Sequence, residues 1–65
     1  MNQPLFLRVR EVAPVLGLSR SKTYELVMTG RIGSVLIDGC RRVPTEEVER
    51  FADKIKADAG LATVA

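Results

Sequence analysis

SRSKTYELVMTGRIGSVLIDGCRRV, residues 19–43, changes its hydrophobic period part-way along, and that change decides the fold. Up to Gly30 it reads as a helix over residues 20–29: Ser19 is typed to accept a hydrogen bond from an exposed first-turn amide, and glycine is a common stop signal. Two apolar stripes compete inside it, one of Thr23, Leu26, Val27 and Gly30, the other of Tyr24, Val27 and Met28. The first is preferred, because it turns Arg20, Ser21, Lys22 and Glu25 outward on one polar face. Beyond Gly30 the helical spacing stops. Val35, Leu36 and Ile37 run into Asp38-Gly39, a pair suited to a two-residue hairpin turn whose central positions both need positive φ, and residues 40–43 follow as the return strand. This places Arg41 and Arg42 near the tip of a β-hairpin.

Towards the amino terminus, Val9, Val12, Ala13 and Leu16 fall at i, i+3, i+4 and i+7, one face of a short helix that Gly17 ends in the left-handed conformation. Pro14 interrupts that helix: it lacks the amide that would bond the Arg10 carbonyl and disfavours helical geometry at Ala13, so a kink or an irregular last turn is expected. Phe6 and Leu7 are candidates for a third short strand on the hairpin. Towards the carboxyl terminus, Thr45 reads as the cap of a last helix with Glu46 and Glu47 in its first turn, where carboxylates complement the helix dipole. Val48, Phe51, Ala52 and Ile55 repeat the i, i+3, i+4, i+7 stripe. The expected domain covers residues 1–58, and residues 59–65, which show no pattern, read as a disordered tail.

Composition narrows the function. A chain of 65 residues, 46% hydrophobic and 28% charged, supports one globular domain, and a domain of that size buries only about 60% of the surface its unfolded chain exposes. A single cysteine, Cys40, forms no internal disulfide and reads as an incidental small residue of the hairpin. With no histidine there is no zinc ligand set and no histidine general base, so neither a metal, a cofactor nor an enzymatic role is expected, nor a pocket for a small-molecule substrate. No apolar run approaches the roughly 20 residues that span a bilayer, and the chain reads as cytoplasmic without a membrane partner. Charge is uneven: through Arg42 seven basic residues face three acidic ones, net +4, and from Val43 on three face five, net −2. With a pI near 9.1, a basic first two thirds is the electrostatic footprint of a nucleic-acid binder.

Together the elements form an α+β fold, a small winged helix-turn-helix: two short helices joined by a three-residue turn, a β-hairpin wing and a carboxyl-terminal helix. In such a fold the second helix enters the major groove of double-stranded DNA by its N-terminal residues, so Arg20, Ser21 and Lys22 face DNA while the hairpin carries Arg41 and Arg42 to the neighbouring backbone or minor groove. Arg8 and Arg10, beside the first helix, are plausible further backbone contacts.

Residues 7–51, LRVREVAPVLGLSRSKTYELVMTGRIGSVLIDGCRRVPTEEVERF, also carry a recognisable pattern. The run hydrophobic-x-E-V-A-x-x-L-G-hydrophobic-S-x-S-x-x-Y, then G-x-(I/L), a short wing and R-x-P, resembles the excisionase type of MerR-like winged helix-turn-helix domains. Glu11, Val12, Ala13, Leu16, Gly17, Ser19, Tyr24, Gly30, Arg42 and Pro44 all stand in place. The resemblance implies a small DNA-bending factor of a phage or other integrating element that binds repeated sites beside an attachment site and tilts a partner integrase toward excision. By position it makes Ser21 and Glu25 base-facing, Arg20, Lys22 and Tyr24 phosphate contacts, and Arg41 or Arg42 the wing contact. Two positions depart from the family: Pro14 replaces an ordinary helix former, and Glu25 stands where many members are basic. Glu25 then either accepts from a cytosine amine or orders Arg20 or Lys22.

One module of this size buries roughly 600 to 1,000 Å² on DNA, and about five phosphate contacts lose much of their affinity at physiological salt. A lone protomer is a weak binder, which leads to an expectation of cooperative, head-to-tail self-association on adjacent sites that bends the duplex. Two other functions compete: a small transcriptional regulator of the same fold acting at an operator, and a protein-interaction module using the acidic last helix.

Overall fold

The computed structural model describes residues 4–60. Its elements are β1 (Phe6–Leu7), α1 (Val9–Leu16), α2 (Arg20–Met28), β2 (Val35–Ile37), β3 (Cys40–Pro44) and α3 (Thr45–Ala59). The strands form one antiparallel sheet in the order β1, β3, β2, with Phe6 opposite Pro44 and Leu7 opposite Val43 on one side of β3, and Val35 opposite Arg42 on the other. Phe6 and Leu7 therefore do supply the third strand, and the fold is the small α+β winged helix-turn-helix that the change of period implies.

Helix α1 begins where the Glu11 carboxylate accepts the Arg8 backbone N–H at 2.7 Å. This is one half of a capping box, since an arginine side chain can accept nothing in return. The helix runs on through Pro14 to Leu16 and ends with Gly17 N–H on the Pro14 carbonyl at 3.3 Å and Leu18 N–H on Ala13 at 2.9 Å. That paired closure needs a left-handed residue between, and Gly17 supplies it at φ 71°. After Leu18 the next helix is capped at once. Lys22 N–H donates to Ser19 Oγ at 3.1 Å, and the buried Thr23 hydroxyl donates to the Ser19 carbonyl at 2.8 Å.

The core joins Val9 and Val12 of α1, Leu26 and Val27 of α2, Ile32, Val43 of β3, and Val48 and Phe51 of α3, with Leu7 and Leu16 packed against it. Thr23, Leu26 and Val27 are the buried face of α2, whereas Tyr24 and Met28 are exposed, so the first of the two stripes is the inner one. Ile32 has no place in any periodic stripe. It is fully buried because the chain leaving α2 folds back, Gly30 N–H bonding Val27 and Ile32 N–H bonding Leu26, each at 3.1 Å.

Three expectations need correction. Thr45 is the first residue of α3 and not its cap: Pro44 precedes the helix with no side-chain bond, the Thr45 hydroxyl donates to the Pro4 carbonyl, and its N–H donates to Leu5 at 3.0 Å. The chain running into β1 takes both donors, which ties the first described residues to the start of α3. Helix α3 continues to Ala59 with Gly60 following it at positive φ, one residue past the expected end at 58; the rest of the expected tail, 61–65, lies outside the described residues. Along the α3 stripe, Val48 and Phe51 are buried, but Ile55 is 39% exposed, on an open concavity that it shares with Leu16 and Leu18.

Candidate nucleic-acid interface

The polar face of α2 is free of the core. Arg20, Ser21, Lys22 and Glu25 are all exposed, held at a fixed height by the Ser19 cap on one side and the buried Thr23 on the other. Lys22 Nζ lies 3.8 Å from Glu25 Oε1, an exposed pair one turn apart on this face. Arg20, Tyr24 and Met28, four residues apart, form a second outward row along the same helix.

That row leads into a cleft. Arg8 and Arg10 from the start of α1, Tyr24 and Met28 from α2, and Arg41 and Arg42 from β3 line one concavity, and no carboxylate lines it. Met28 was absent from the residues that sequence reasoning singled out for the site; its only signal was membership of the rejected apolar stripe on α2.

The two wing arginines lie in the first two pairs behind the one that closes the hairpin. The hairpin turns at Asp38 (φ 51°) and Gly39 (φ 80°), both positive as a type I′ turn requires, and Cys40 opposite Ile37 closes it. Arg41 lies opposite Leu36 and Arg42 opposite Val35, so they sit on the shaft of the wing, while its tip is Asp38, Gly39 and Cys40. Both side chains are half-buried and held by neutral acceptors. Arg41 Nη1 donates to Ser34 Oγ at 2.7 Å, and Arg42 Nη1 donates to the Arg41 carbonyl at 3.0 Å. Among the described residues no carboxylate pairs with Arg8, Arg10, Arg20, Arg41 or Arg42. Their charges are therefore available to an external anion. The acidic groups gather instead on α3, where Glu47 pairs with Arg50 at 3.1 Å and Asp53 with Lys56 at 3.8 Å. Among the described residues no group of three potential metal ligands occurs, and no helix is long and apolar enough to cross a membrane.

Two helices joined by a three-residue turn, an exposed basic face on the second and a hairpin wing beside it define a winged helix-turn-helix DNA-binding domain. Comparison with known proteins agrees and goes further: a family model described as a helix-turn-helix domain matches residues 6–56. The chain is 50% identical over 48 residues to an excisionase of Streptomyces ambofaciens, covering 74% of this chain and 77% of that one. It is 41% identical over 58 residues to a probable excisionase of Saccharopolyspora erythraea, covering 89% of this chain and 59% of that relative, which is the longer of the two. The chain belongs to the excisionase family of helix-turn-helix proteins, a DNA-binding class and not an enzymatic one. No solved structure matches it significantly.

Proposed function

We propose that the protein binds repeated double-stranded DNA sites beside an attachment site, as several copies arranged head to tail, bends the duplex and directs a partner integrase toward excision in a bacterial cytoplasm. The observation that carries the DNA-binding mode is the continuity of one surface: the outward residues Arg20, Ser21, Lys22 and Glu25 of α2 run by way of Tyr24 into the arginine-lined cleft beside the wing. In this reading Ser21 and Glu25 face base edges, Arg20, Lys22 and Tyr24 meet phosphates, and Arg8, Arg10, Arg41 and Arg42 hold the adjoining backbone. The names of the two relatives support the recombination role. The small footprint of one module supports assembly of several copies, because a single protomer retains little affinity at physiological salt.

The test is a mobility-shift titration on the attachment-site fragment of the element, paired with an excision assay containing its integrase. Abrupt appearance of high-order complexes and protein-dependent excision are expected. Independent, evenly stepped filling without any stimulation of excision would reject the proposal.

A further inference from the structure

We infer that the cleft between α1, α2 and β3 seats the sugar-phosphate backbone of one DNA strand, with Ser34 as the residue that positions Arg41 and Met28 as the surface that covers the deoxyribose. This rests on the DNA-binding reading above and adds to it two residues, Ser34 and Met28, and a division of labour along α2.

The electrostatics come first. Four arginines line one concavity without a carboxylate, and a concave surface of one sign of charge favours an anion there. Arg41 and Arg42 each commit Nη1 to a neutral oxygen, Ser34 Oγ at 2.7 Å and the Arg41 carbonyl at 3.0 Å. Each guanidinium has five N–H donors, so most remain free, and the bond already made fixes the direction of the others. Holding a half-buried arginine in place before an anion arrives removes part of the ordering cost of binding it.

The apolar wall separates a DNA strand from a free inorganic anion. Tyr24 is 45% exposed and Met28 58% exposed, both on the cleft. A phosphate alone gives Met28 nothing to pack against, whereas the sugar next to each phosphodiester does. The geometry of α2 fits. Arg20 and Met28 stand eight residues apart on one row, about 12 Å along the axis, which is about the width of the major groove. A helix that crosses the groove with Arg20 at the phosphates of one wall therefore carries Met28 and the cleft to the other. Sugar and phosphate are common to all sequences, so the cleft contributes affinity and register, not base choice.

The experiment measures binding to a labelled mixed-sequence duplex by fluorescence anisotropy over a series of salt concentrations. Arg41→Ala is expected to weaken binding about tenfold and to make the salt slope shallower by about 1, the loss of one charge-assisted phosphate contact. Ser34→Ala is expected to weaken it about threefold in the wild-type background and to have no effect in the Arg41→Ala background, since a positioning residue acts only through the group it positions. Met28→Ala is expected to cost about threefold with the slope unchanged, because it removes packing and no charge. If the wild type binds with a steep salt dependence but Ser34→Ala is equally damaging without Arg41, or Met28→Ala binds as the wild type does, the cleft assignment fails and the DNA-binding reading stands. If the wild type shows no salt-dependent binding, both fail together.

Discussion

The Glu11 carboxylate accepts the Arg8 backbone N–H at 2.7 Å, so the first helix is closed at its start by a residue one turn further in. Removing this acceptor leaves an orphan donor at the helix start and deletes a negative charge from the first turn. Glu11→Ala is expected to lower stability by about 1 kcal/mol, read by urea denaturation, and Glu11→Gln by less, since the amide oxygen still accepts.

Pro14 offers a gain in stability. It is exposed, so its ring contributes little packing, and an alanine amide there would face the free Arg10 carbonyl. Pro14→Ala recovers a helical bond and helix propensity but loosens the unfolded chain, opposing effects whose balance is expected to be a gain of about 1 to 2 kcal/mol. A lower urea midpoint for the variant would contradict this.

Glu25 and Lys22 form an exposed pair at 3.8 Å, which contributes little to folding. Its consequence lies in charge: Glu25→Ala frees Lys22 and makes the outward face of α2 more positive. The melting temperature is expected to change little, while affinity for mixed-sequence DNA at low salt rises about threefold and its salt slope steepens. Anisotropy titrations at low and moderate salt read both quantities.

Ile32 closes the core from an irregular segment. Only 1% of it is exposed, and it belongs to the cluster built by all three helices and β3. Ile32→Ala is expected to cost about 2 to 4 kcal/mol. A domain of this size has on the order of 3 to 10 kcal/mol in total, so the loss is a large share of it, and a clearly lower urea midpoint is expected by circular dichroism.

Where the chain obeys a period, the fold was readable in advance. The i, i+3, i+4, i+7 spacing of Val9, Val12, Ala13 and Leu16 and the Asp38-Gly39 turn each correspond to an element in place. What escaped depends on contacts between distant segments. Ile32 is buried by backbone bonds to α2 that no side-chain pattern announces. The role of Thr45 is set by Pro4, 41 residues away, whereas a cap is a local property. Arg41 and Arg42 were legible as wing residues, but proximity to a turn in sequence does not say which way a half-buried guanidinium is held. For Arg41 that is decided by Ser34, outside the hairpin pairs themselves, and for Arg42 by the Arg41 carbonyl. Met28 was hidden for another reason: the preferred stripe on α2 already left it outside the core, but an exposed apolar residue marks no site until the fold brings Arg8, Arg10, Arg41 and Arg42 beside it.

The link between α1 and α2 is fixed from both ends by main-chain groups and one serine, and the inner residues Thr23, Leu26 and Val27 anchor α2 from beneath. The outward residues of α2, Arg20, Ser21, Lys22 and Glu25, hold nothing in place except one another. Substitutions can therefore rewrite that face at little expense to the scaffold, which leaves its chemistry open to redesign one residue at a time.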